Sequence, residues 1–112
     1  MTESGLDNQQ TYDLSDMSDE MLKKYASNGA SLLDIQNPKW YDKIDVNTLN
    51  MRTNCVLHMV YGDYEDGIRH LFASFTDDRK FLNGFTLFAL EFGDPKWDTL
   101  TQYWKNEIFL RR

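Results

Sequence analysis

The chain has 112 residues, one cysteine and a net charge of −6. That length makes one domain with a single core, and one cysteine excludes an internal disulfide, which fits a reducing, cytoplasmic compartment. No apolar run approaches the roughly 20 residues that a membrane span needs, and "MTESGLDNQQTYDLSD" lacks the basic and apolar regions of a signal peptide.

The charge is not evenly spread. Residues 1–20 hold Glu3, Asp7, Asp13, Asp16, Asp19 and Glu20 with no Lys or Arg, and the remaining 12 acids and 12 bases cancel. A polar, acidic start with few apolar residues cannot offset its ordering entropy, so residues 1–15 are expected to form a mobile tail ahead of one helical domain over 16–112. The tail serves either as a solubilising leader or as an acidic arm for a basic partner. A pure DNA mimic is disfavoured, because the body carries no excess charge.

From there the chain reads as helix after helix. Ser15 or Ser18 caps the first, with Asp19 and Glu20 at the positive end of its dipole. Leu22, Tyr25, Ala26, Gly29 and Leu33 follow at helical spacing, and Gly29 within that stripe predicts the close approach of another helix. "NPK" at 37–39 ends the element, since the residue before Pro38 is pushed out of the helical region. Trp40 and Ile44, four apart, drop onto the core from a short turn.

The stretch "NCVLHMVYGDYEDGIRHL", residues 54–71, is then expected to be two helices. Asn54 caps the first, Gly62 ends it in the left-handed region, and Asp63 caps the second. A third capped segment opens at Thr76 and closes at Asn83-Gly84. "FTLFALEF", 85–92, is compatible with a short strand or a buried extended arm. "GDPKW" begins a last helix, with Asp94 as cap and Pro95 at the first helical position, and Trp97, Leu100, Trp104 and Ile108 form its stripe. Arg111 and Arg112 sit at its negative end. The expected fold is mainly α, a compact bundle of four to six helices with one extended or strand segment near 85–92. Its core is Trp40, Leu57, Tyr61, Ile68, Leu71, Trp97, Leu100 and Trp104.

Chemistry is weakly encoded. Cys55 and His58, three apart on one helix, could form a thiol–imidazole pair, but Cys55 is flanked by Val56 and Leu57 and reads as an inert core cysteine. With His70 they supply three metal ligands where zinc needs four, and there is no paired cysteine motif. "GDYEDG" fails as a calcium loop, because Gly62 stands where an acid is required five residues before Gly67. No Gly-rich phosphate cradle or serine nucleophile elbow exists, so no catalytic residue, cofactor or metal is expected. The helix–Gly62–helix pattern partly fits a helix-turn-helix. The would-be recognition helix begins with Asp63, Tyr64, Glu65 and Asp66, however, and carboxylates at that end repel phosphate. Nucleic-acid and membrane partners are not expected.

The segments "GASLLDIQNPKWYDKIDVNTLNM", "CVLHMVYGDYEDGI", "NGF" and "LTQYWKNEIFLRR" resemble a family of small uncharacterised proteins of actinobacteria and their phages. That family has a leading Gly-Ala-x-Leu-Leu-Asp, a Pro-x-Trp, a Cys-Val-Leu-Gly-Gln-x-Tyr-Gly core and a closing Leu-Thr-x-x-Trp helix. The resemblance covers roughly residues 29–112 and departs at His58 and Met59, where Gly and Gln are usual. It implies a phage or mobile-element origin and supplies no activity. The expected function is a non-enzymatic protein that binds and modulates a host protein, with an inhibitor of a defence nuclease, of the anti-CRISPR kind, as its concrete form. Asp63, Tyr64, Glu65, Asp66, Phe88 and Phe92 are the expected contact residues. The alternatives are a small enzyme or metal-binding domain using Cys55 and His58, or a self-associating regulatory bundle.

Overall fold

A computed structural model describes residues 17–71, 80, 82–87, 90–91 and 93–112. Four α-helices organise them: α1 (Asp19–Gln36), α2 (Val56–Tyr61), α3 (Tyr64–Leu71) and α4 (Lys96–Arg111), with a 3-10 turn at Trp40–Lys43. The protein is thus a compact, mainly α-helical bundle, and the described residues contain no strand or sheet. The segment expected from Thr76 to Asn83-Gly84 lies partly outside the described residues, and the contact residues Phe88 and Phe92 and the tail over 1–15 lie wholly outside them. Within 85–92, the described residues form no strand. Phe85 and Leu87 are buried, and the Leu90 N–H closes a turn onto the Leu87 carbonyl.

The helix ends follow local chemistry. Ser18 caps α1, its hydroxyl accepting the Met21 N–H. Asn37 ends it, donating its N–H to the Leu33 carbonyl one residue before Pro38. Gly62, at φ +86°, closes α2 by returning its N–H to the His58 carbonyl, and the Asp63 carboxylate accepts the Asp66 N–H to open α3. The Asp94 carboxylate likewise accepts the Lys96 N–H ahead of α4, with Pro95 already at helical angles. One expected cap is overturned. Cys55, not Asn54, precedes α2, and it makes no side-chain cap. The Asn54 amide is spent on the Thr48 carbonyl, and its backbone bridges to Asn50. A loop-closing role has outcompeted the cap.

Helices α1 and α4 run side by side in the same direction. Near their starts, the Lys96 ammonium donates to the Met17 carbonyl, and near their ends Arg111 pairs with Asp34. Their apolar stripes meet in a seam where Leu22, Leu33, Leu100, Trp104 and Ile108 are fully buried. A Cβ on Gly29 would lie 2.7 Å from the Trp104 ring and would also overlap the Asn83 carbonyl. The glycine therefore permits the approach its sequence position predicted. Trp104 is edge-on to Trp40 (centroids 5.8 Å apart), stacks on Phe85 (5.6 Å), and donates its indole N–H to the Gly84 carbonyl at 2.8 Å. Seven of the eight expected core residues are buried; Tyr61 is the exception, half-buried and stacked on His70 at 5.0 Å. The Trp40 turn is locked from outside. The Asp34 carboxylate accepts the Trp40 indole N–H and the Arg111 guanidinium, while Arg112 donates to the Tyr41 and Ile44 carbonyls.

Candidate functional site

The loop between the 3-10 turn and α2 is pinned to α4, and this fixes the floor of a cleft. Thr101, buried on α4, accepts the Met51 N–H through its hydroxyl and donates to the Trp97 carbonyl. Beside it, Arg52 donates to the Asp98 carboxylate (3.1 Å) and the Asp94 carbonyl (3.2 Å). The result is a cleft of about 380 Å³. Its apolar lining is Met51, Phe85 and Trp97, and its charged lining is Arg52, Asp63 and Lys80. Cys55, His58 and Tyr64 complete the chemistry, with Thr53 and Thr86 adding hydroxyls.

The chemistry-bearing residues of 54–71 divide between the cleft and the surface outside it. Cys55, His58, Asp63 and Tyr64 are brought to one cleft, whereas Glu65, Asp66 and His70 do not line it. Cys55 is buried, and burial pushes its thiol up from the ordinary range; nearby backbone N–H groups, that of His58 among them, only partly offset this. A nucleophilic cysteine needs the opposite shift. His58 is exposed, and among the described residues no group of three or more His, Cys, Asp or Glu is placed to hold a metal ion. None of the described helices is long and apolar enough to cross a membrane.

The expected contact residues divide. Asp63 and Tyr64 belong to the cleft, and the Asp63 carboxylate already caps α3. Glu65 is exposed, and Asp66 is exposed in an ion pair with Arg69 at 2.9 Å. Sequence reasoning missed a second surface. Ile35, Phe109 and Leu110 are large apolar side chains left in water, Leu110 at 77% exposure. Phe109 and Leu110 border a shallow groove of about 410 Å³ with Lys23, Tyr103, Asn106 and Glu107. The signal was present: both directly follow Ile108, the last member of the buried stripe, so the 100° step per residue turns them off the core face.

No protein-family model matches the chain, and no curated protein or solved structure is significantly similar to it.

Proposed function

We propose that this chain is a non-enzymatic binding protein that docks on a partner protein and modulates it. The observation carrying this reading is the set of large apolar side chains left exposed near the ends of α1 and α4, two of which, Phe109 and Leu110, border one groove. Ile35, Phe109 and Leu110 all lie within two residues of the Asp34–Arg111 ion pair in sequence, at the end where α1 and α4 are tied together. Large exposed apolar side chains beside a groove with polar neighbours are what protein interfaces use as anchors. The raised Cys55 thiol supports the non-enzymatic part, since it works against the one cysteine nucleophile in the sequence. The resemblance to actinophage proteins makes a host protein the partner class, and inhibition of a defence nuclease its concrete form.

A photo-crosslinking residue placed at Leu110 tests this. Adducts from the source cell's lysate, identified by mass spectrometry, should be dominated by one protein that the purified chain binds. F109S/L110S should weaken that complex at least tenfold while leaving Tm within about 2 °C, because both side chains are exposed. Crosslinks formed only between copies of this chain would replace the reading with self-association.

A further inference from the structure

We propose that the acidic segment over residues 1–16, which lies outside the described residues, docks on the groove bordered by Lys23, Phe109 and Leu110. It would thereby cover the face that the reading above gives to a partner. That groove measures about 410 Å³ and leaves Phe109 54% and Leu110 77% exposed. Its polar side chains are unequally engaged. The Glu107 carboxylate meets the Arg111 guanidinium at 2.9 Å, and the Asn106 side chain accepts from Gln102 at 3.0 Å. Lys23 is exposed, and among the described residues its ammonium has no ion pair or hydrogen bond. The groove therefore offers open apolar surface together with an unmatched cation.

The segment carries the complementary set. It holds Glu3, Asp7, Asp13 and Asp16 with no Lys or Arg, and Leu6, Tyr12 and Leu14 add apolar side chains. It also joins the body at the right end. Lys96 holds the Met17 carbonyl beside the start of α1, six residues before Lys23. Because α1 and α4 run in the same direction, Leu110 lies about 25 Å along the bundle from Met17, counting 1.5 Å per helical residue. Residues 1–16 span about 50 Å when extended, enough to pass Lys23 and follow the groove with slack. Asp13 and Asp16, next to the anchor, then come within reach of Lys23, and Leu6 within reach of Phe109 and Leu110. Three apolar side chains are too few for a core, yet a tether gives an effective concentration on the order of millimolar, which populates a weak contact. A partner for this face has to displace the segment, so the acidic start sets the affinity of the site. That consequence rests on the partner-binding reading; the contact itself does not, and is measured on the purified chain.

The full chain, purified and carrying p-benzoylphenylalanine at Leu110, should on irradiation form adducts to residues 1–16 of the same molecule, with a yield independent of protein concentration. L6S/Y12S/L14S should cut that yield about fivefold while leaving Tm within about 2 °C, because the segment adds little to the core. Lys23→Glu should cut it about threefold at low salt and less above about 0.15 M, whereas Lys23→Arg should keep it. A readout that leaves Leu110 intact is the neutral dye Nile red. Its fluorescence should rise when L6S/Y12S/L14S uncovers the groove, and F109S/L110S in the same chain should remove the rise. Adducts confined to residues outside 1–16, a yield that grows with concentration, or equal dye fluorescence with and without L6S/Y12S/L14S would each overturn the proposal. A lysate protein captured at Leu110 with no adduct to residues 1–16 in the purified chain would overturn the cover and leave the partner reading standing. The adduct without a captured protein would support the cover and count against that reading.

Discussion

The seam around Trp104 and the cleft around Cys55 are built from the same kinds of residue, and Phe85 belongs to both. In the seam, every ring meets another ring or a helix backbone, and the one polar atom of Trp104 is satisfied by Gly84. In the cleft, rings, a thiol, an imidazole and two cations border open space. Aromatic content alone therefore says little about function. What separates the two is that the side chains of the seam close on one another, whereas those of the cleft border a space of about 380 Å³.

The comparison breaks most visibly at Trp104. Trp104→Ala should cost about 3–5 kcal/mol, since it removes a fully buried large aromatic and leaves the Gly84 carbonyl without its donor. Chemical denaturation would measure this, and a loss under about 1 kcal/mol would mean that the seam is not the centre of the core. Gly29→Ala should cost about 1–3 kcal/mol, the usual effect of overpacking, because its Cβ meets Asn83 backbone and the Trp104 ring. An unchanged midpoint would show that α1 and α4 separate easily.

A smaller effect lies at the Asp34 bridge. The hydrogen bond from the Arg111 guanidinium, outweighing partial burial and helped by the Trp40 indole, holds the Asp34 carboxyl below the ordinary carboxylate range. A folded-state value below the unfolded one means that the stabilisation is complete above the unfolded carboxylate's pKa and is lost as pH falls through the folded value. Asp34→Asn should therefore lower Tm at neutral pH by a few degrees at most, given its exposure, with the difference from wild type closing in acid. A gap independent of pH would mean that the charge on Asp34 does not contribute to the difference. The smallest change is expected on the cleft side. Cys55→Ala should cost about 1 kcal/mol or less, and the native thiol should react with a maleimide much more slowly than the thiol in denaturant. Equal rates would mean that the cleft opens to its floor.

Much of the fold was legible because its punctuation is chemical and local. Ser18, Gly62 and Asp94 each do what their residue type does at a helix end, and the stripe from Trp97 to Ile108 names its own buried face. Asn54 misled because two backbone uses compete for one short amide, and only the loop around Thr48 decides between them. Thr101 gave no warning at all. A hydroxyl within an apolar stripe looks like an interruption until Met51, 50 residues away, supplies the N–H that it accepts. The cleft was half legible for the same reason. Cys55, His58, Asp63 and Tyr64 are neighbours in sequence, while Arg52, Lys80, Phe85 and Trp97 reach them only through tertiary packing.

The pairing of α1 with α4 also sets a timetable. Its contacts join residues 77 and 79 positions apart, so Leu22, Tyr25 and Leu33 stay uncovered until residues 96–111 have been made. At synthesis rates of about 5–20 residues per second, that delay is roughly 4–15 s for an unpartnered apolar helix. Bundles whose helices pack on their sequence neighbours close early and fold fast; here the largest interface is among the most distant in sequence and should close late. Nascent chains of this protein should accordingly depend on chaperone cover more than the size and helical content of the finished domain suggest.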